Sequence, residues 1–188
     1  YKVPEAQRTA QGALVSSVIG IPKGRSVTAV LSTSGFPEEE FLVMATRGGF
    51  IKRIKLSDLA NVRSTGINAM KLASGDSLAF VEKCAPGSSV LMASDTGRLL
   101  RFPDDNLRPT SRVARGVKSM RLKEGEQVVA MSILPPELAD GEASAPDEAR
   151  GGDPADDGST EDDKKLMQMA PWVLLVTSKG FGKRVGVR

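Results

Sequence analysis

The chain has 188 residues, 40% of them hydrophobic and 4% aromatic, with a formal net charge of +3 and no histidine. That length holds one or two domains, with a core of Val, Leu, Ile, Met and Ala. Without histidine, neither a Ser–His–Asp arrangement nor a histidine-ligated zinc site is available, so no catalytic and no metal residue is assigned.

The segment YKVPEAQRTA opens the chain without an initiator methionine or an apolar leader. The last residues stop just after a hairpin. Both ends read as cut, and a piece of a longer protein is expected. No run reaches the roughly 18 apolar residues of a membrane span, so no membrane partner is expected. Cys84 stands alone and reads as a buried thiol.

In chain order, short apolar runs between glycine-bearing turns predict strands. The first two fall at 14–21 and 26–31. A hairpin follows, 41–45 and 51–55 around Gly48–Gly49, then a short helical turn around 56–62. Strands at 68–72 and 77–81 flank the turn ASGD. A second hairpin pairs 90–93 with 99–102 around Thr96–Gly97, and strands at 117–122 and 127–134 flank KEGE. Both hairpins are expected to turn on two residues, with glycine at positive φ.

An acidic stretch comes next. Between Pro136 and Lys165 eleven acids face three bases, which leaves 23 bases and 12 acids on the remainder. Nearly devoid of large apolar residues, it cannot offset its ordering entropy and is expected to be disordered. It reads as a tolerated loop insertion, with a polyanion competing for the chain's own cations as the alternative. A last hairpin, 173–176 with 182–187, closes the chain.

These elements repeat. FLVMATRGGFIKRI, SVLMASDTGRLLRF and WVLLVTSKGFGKRV align so that Gly49, Gly97 and Gly180 coincide, as do Arg53, Arg101 and Arg184. A second signature, VRSTGINAMKLASGD and ARGVKSMRLKEGE, follows the first two hairpins. Gly49 and Gly97 are 48 residues apart, a spacing that suits a four-stranded blade. Alternation sets Phe50, Lys52 and Ile54 on one face and Ile51, Arg53 and Lys55 on the other.

The recurrent cations have two readings. They are solvated edge charges that keep strands from pairing, or a belt for a polyanion. The belt comprises Lys52, Arg53, Arg98, Arg101, Lys183 and Arg184, with Arg8, Arg63, Arg112 and Arg115 in loops whose small neighbours let a phosphate approach the backbone.

MATRGGFIKR, VRSTGINAMKLASGD, MASDTGRLLRF, ARGVKSMRLKEGE and VTSKGFGKRV, in this order, resemble the C-terminal β-pinwheel domain of the DNA gyrase A protein. YKVPEAQRTAQG is similar to the end of that domain's first blade, and GFGKRV to its fourth-blade hairpin. The resemblance covers the chain outside the acidic stretch.

It implies an all-β fold: propeller-like blades of four antiparallel strands, forming an incomplete ring here. Residues 1–32 would end the first blade, 33–88 form the second, 89–135 the third, 136–170 the disordered insert and 171–188 the start of the fourth. It also implies wrapping of double-stranded DNA, without base readout, for ATP-dependent negative supercoiling. The fragment would be non-catalytic and without a cofactor. ATP and Mg would serve the rest of a type II topoisomerase, with the gyrase B protein and a second gyrase A protein as partners.

The family's gyrase box does not occur in this chain, so the matching domain of topoisomerase IV stays an alternative, and a blade-type protein-interaction scaffold another. The long acidic insert and the PWVLLV phrase resemble plant or algal organellar gyrase. They point to the plastid, with mitochondrion or a bacterial cytoplasm as alternatives.

Overall fold

A computed structural model describes residues 5–19, 26–63, 66–139 and 172–186. The chain divides into two compact units, Tyr1–Pro135 and Pro136–Arg188.

The first unit is built on two hairpins. β1 (Phe41–Thr46) pairs antiparallel with β2 (Phe50–Lys55), and β3 (Leu78–Cys84) flanks β1 on its other side. β4 (Ser89–Ser94) pairs likewise with β5 (Leu99–Pro103) and, on its other side, with β7 (Val128–Leu134). The hairpin loops have three residues rather than the expected two. Gly49 closes one at φ 82° and Gly97 the other at φ 84°, the form in which a glycine in left-handed conformation follows a turn.

The two sheets differ at one edge. The first has the order β3-β1-β2-β6, whereas the second is β5-β4-β7. The extra strand, β6 (Val117–Lys118), lies in sequence between β5 and β7, inside the second repeat. It leaves its own repeat to pair with β2, matching Val117 with Ile51 and Lys118 with Phe50. The cover extends both ways. Ser119 N–H donates to the Gly49 carbonyl at 2.9 Å, and Thr110 N–H donates to the Arg53 carbonyl at 2.9 Å.

Alternation along the strands then builds two cores. Val43, Ala45 and Ile51 pack with Val90, Met92, Val128 and Met131 of the neighbouring sheet, and Cys84 is buried among them. On the opposite face, Leu42, Met44, Ile54 and Leu56 are covered by Ala69, Met70, Leu78 and Val81. The first sheet is thus packed on both faces, which explains the near-continuous burial of β1.

The N-terminal expectations fare differently. The run expected as a strand at 14–21 contains a five-residue helix, α1 (Val15–Ile19), with 20–21 outside the described residues, and 26–31 forms no regular element. Residues 68–72 also form no ladder. The helical turn expected at 56–62 is a 3-10 turn, Leu56–Leu59.

In the second unit, α2 (Pro136–Ala139) is one helical turn, and β8 (Trp172–Val176) pairs with β9 (Gly182–Gly186). Residues 140–171, which carry nearly all of the acidic insert, lie outside the described residues.

One glycine controls the borrowed strand. Gly116 has φ 90°, and a Cβ there would stand 2.2 Å from the Ile51 carbonyl oxygen and 2.8 Å from Lys52 Cβ. Its counterpart Gly66 has φ 79° with nothing within 4 Å. Gly66→Ala therefore bears only left-handed strain, about 1 kcal/mol. Gly116→Ala adds a backbone collision and is expected to cost about 3–4 kcal/mol. Urea unfolding of the two variants measures the gap, and equal losses would contradict the close approach.

Candidate nucleic-acid interface

The cations singled out in the sequence separate into two populations. Lys52 and Arg53 belong to the interior, with 1% and 6% of their surface exposed. This corrects the expectation that they face a polyanion. β2 is not an exposed edge, because residues 109–120 cover it.

Lys52 shares the face of Ile54. Its Nζ donates to the carbonyls of Ala69 and Ser111, both at 2.8 Å, and lies 3.2 Å and 3.3 Å from those of Arg112 and Ala114. Burial pushes its pKa below the usual lysine range, and attraction to Asp58 partly opposes that.

Arg53 shares the face of Ile51 and meets Asp104 of the second repeat. Nη2 lies 2.7 Å from Asp104 Oδ2, and Nη1 donates to the Asp104 carbonyl at 3.1 Å. The guanidinium also stands 3.7 Å from the centre of the Phe41 ring. Asp104 in turn accepts from Gly87 N–H at 3.0 Å. This group pins one sheet to the other and leaves no face of Arg53 for a phosphate.

Arg98 is a mixed case. Its side chain is 45% exposed, yet its head is committed. It pairs with Glu126 through Nη2, with a second bond from Nε at 2.9 Å, and Nη2 donates to the Arg121 carbonyl at 2.8 Å. Thr96 Oγ1 and Lys123 N–H also donate to Glu126. These bonds, Arg98 first, hold the Glu126 carboxyl far below the usual carboxylate range. The equivalent acid in the preceding repeat, Asp76, accepts from Gly48 N–H at 2.9 Å and Ser77 N–H at 2.8 Å. The recurrent GD and GE turns thus fasten each hairpin loop. Arg101 is half-buried on β5, opposite Leu91, and is engaged within the protein.

The loop arginines form the outward population. Arg63 and Arg112 line a cleft of about 690 Å³ together with Asn61, Gly66, Asn68 and Val113. Among the described residues no carboxylate lines it. Arg115 is exposed, its guanidinium 5.8 Å from the centre of the Phe50 ring. Lys118, on the borrowed strand, is exposed as well. The sequence reading missed it because its aligned residue in the preceding repeat is Asn68; only the pairing of β6 with β2 reveals it.

Arg8 is exposed in the N-terminal segment, away from any ladder. Lys183 is exposed on β9, opposite Leu175. Arg184 stands opposite Leu174 on the same strand. Among the described residues no cluster of His, Cys, Asp or Glu could hold a metal, and no helix is long and apolar enough to cross a membrane.

Sheets that exchange an edge strand between tandem repeats define a blade-type repeat protein with a cationic outer edge. Residues 40–85, 88–135 and 171–188 match the family described as DNA gyrase C-terminal domain, beta-propeller, and the chain belongs to that family. The chain is 39% identical over 193 residues to the DNA gyrase A protein of Synechocystis, and 35% identical over 195 residues to the chloroplastic/mitochondrial DNA gyrase A protein of Nicotiana benthamiana. Both alignments cover 100% of the chain but only 22% and 19% of those relatives. The chain therefore spans about a fifth of the length of the curated relatives it matches.

A solved DNA gyrase A C-terminal domain superposes with a TM-score of 0.66 at 20% identity, covering 94% of this chain and 48% of that one. A topoisomerase IV C-terminal domain gives 0.61 at 22%, covering 65% and 38%. These two likenesses establish the fold. Preference for gyrase over topoisomerase IV comes from the sequence relatives.

Two outcomes test the inward population. Breaking a buried pair strands its partner, so Arg53→Gln is expected to lower stability by about 3–5 kcal/mol in urea unfolding. A loss under about 1 kcal/mol, the range of exposed pairs, would return Arg53 to the surface. For Glu126 the sign follows from its depressed folded pKa, against about 4.3 when unfolded. Its contribution is complete above about pH 5 and is lost as pH falls toward the folded value. The gap in urea midpoint between the wild type and Glu126→Gln should narrow from about pH 7 to about pH 3. A constant gap would contradict the pairing.

Proposed function

We propose that this chain is a DNA-wrapping module: it binds duplex DNA through phosphates along the outer edge of its blades. The observation that carries this reading is the cleft lined by Arg63 and Arg112, with no carboxylate among its described lining residues, continued along the covering segment by Arg115 and Lys118. Cations on neighbouring loops, beside Gly66 and two asparagines, suit a backbone of regularly spaced phosphates. No aromatic side chain is among the described residues lining the cleft, which suits a protein that must accept any sequence.

Family membership supports the larger context. As part of a gyrase A protein, the module would guide DNA across a catalytic core for ATP-dependent negative supercoiling, alongside the gyrase B protein and a second gyrase A protein. Nucleophile, ATP and Mg would belong to those other parts. Relatives named chloroplastic/mitochondrial, together with a cyanobacterial one, favour the plastid as its place of work. Arg8, Arg101, Lys183 and Arg184 remain proposed contributors to the contact. Arg98 contributes only if phosphate competes with Glu126, and Lys52 and Arg53 act from inside.

Binding of the 188-residue chain to long linear duplex DNA, measured as salt rises, tests this. The logarithm of affinity should fall linearly with the logarithm of salt, by about 0.9 for each phosphate neutralised. The triple variant Arg63→Gln, Arg112→Gln, Arg115→Gln should shed about 0.9 of slope per lost contact, equally on unrelated sequences. Salt-independent binding, or none at low salt, would favour a protein-interaction scaffold instead.

A further inference from the structure

We infer that Lys52 is a positioning residue for DNA binding: its buried ammonium shapes the arch that presents Arg112 and Arg115, and ties that arch to the loop of Arg63. The inference rests on the DNA-wrapping reading above and adds to it a residue that meets no phosphate.

The geometry begins at the covered edge of β2. The chain meets that edge at Pro109 and Thr110 beside Arg53, and again at Val117 and Lys118 beside Ile51 and Phe50. Lys52 stands between these two attachments. Opposite it the chain leaves the ladder over residues 111–115 before Gly116 returns against Ile51. A free arch would turn its carbonyls to water. Here Ser111, Arg112 and Ala114 turn theirs inward onto Lys52 Nζ.

A fourth carbonyl, that of Ala69, comes from the signature loop of the preceding repeat. Lys71 N–H donates to the Ala114 carbonyl at 3.2 Å and closes the join. An ammonium carries three donors, so the four oxygens share them. All four are backbone groups. Lys52 therefore fixes the course of two loops whatever their side chains, and Arg63 and Arg112 both line the cleft.

The third hairpin carries a lysine at the same position, Lys183, exposed on β9, whereas the second does not. The position aligned with Lys52 in the second hairpin is Leu100, which packs against the core between the sheets. A lysine at this position is thus not required of every blade hairpin. A buried cation is costly to desolvate, and an apolar residue serves in the sister blade. What the lysine adds is order in the arginine-bearing loops. Holding those loops before DNA arrives removes part of the ordering cost of binding.

The test compares wild type, Lys52→Met, Lys52→Arg and the triple Arg63→Gln, Arg112→Gln, Arg115→Gln, with and without Lys52→Met. Each is the whole chain, checked for folding by circular dichroism, and bound to long linear duplex DNA between about 50 and 200 mM salt, a range over which phosphate contacts change affinity by about 10³–10⁵ when 6–10 are made. Folded Lys52→Met is expected to lose about 1.8 of slope, the equivalent of two contacts, and to lose nothing further in the triple background.

Lys52→Arg keeps the charge but not a point ammonium fitted to four carbonyls, so its slope should also fall. It carries the test alone if Lys52→Met does not fold. Wild-type slope in Lys52→Arg, or an equal loss of slope from Lys52→Met in both backgrounds, would overturn the inference by making Lys52 a plain charge contact. Wild-type slope in folded Lys52→Met would overturn it by making the clamp irrelevant to DNA. Absence of a salt-dependent complex with the wild type would instead overturn the DNA-wrapping reading, and this inference with it.

Discussion

The hairpin β1–β2 has an outer edge, and an unpaired edge strand leaves its N–H and C=O groups without partners. The whole first unit is arranged around the way that edge is satisfied. A segment of the second repeat, residues 109–120, crosses over and covers β2 from Gly49 to Arg53. Neither repeat completes its ladder alone, so adjacent repeats are joined by backbone hydrogen bonds as well as by packing. Gly116 is needed because the crossing chain approaches the Ile51 carbonyl too closely for a side chain.

Covering the edge also decides the fate of its charges. On an open edge, Lys52 and Arg53 would reach solvent and could meet a polyanion. Once covered, each must find partners inside, because an unpaired buried charge is prohibitively costly. Arg53 finds the carboxylate and carbonyl of Asp104, whereas Lys52 finds only carbonyls. The surface function moves outward by one strand, to the segment doing the covering. Arg112, Arg115 and Lys118 all lie on it, so the element that completes the blade also carries its candidate phosphate contacts.

Much of this was legible in the residues. Apolar runs broken by glycine located the hairpin strands to within a residue or two, and the repeat identified the blade architecture. Alternation correctly set Lys52 and Arg53 on opposite faces. It could not tell that both faces are buried, because the burying chain lies roughly sixty residues downstream. The recurrence of Arg53, Arg101 and Arg184 is a real signal, but at Arg53 it marks an ion pair between the two repeats. Arg98 looked free because its partner Glu126 lies 28 residues downstream, beyond β5 and β6. The segments expected as strands at 14–21 and 68–72 had strand-like composition, yet Val15–Ile19 is helical and 68–72 joins no ladder, which no local pattern reveals.

The central claim is the division between interior and surface cations on one covered strand. Amine-reactive labelling of the native chain, read by mass spectrometry with and without long duplex DNA, tests it most directly. Lys52 should stay unlabelled in both states, while Lys118 should label readily in the free protein and become protected by DNA. Ready labelling of Lys52 in the free protein, with protection on adding DNA, would contradict the division and put Lys52 back on the outer surface.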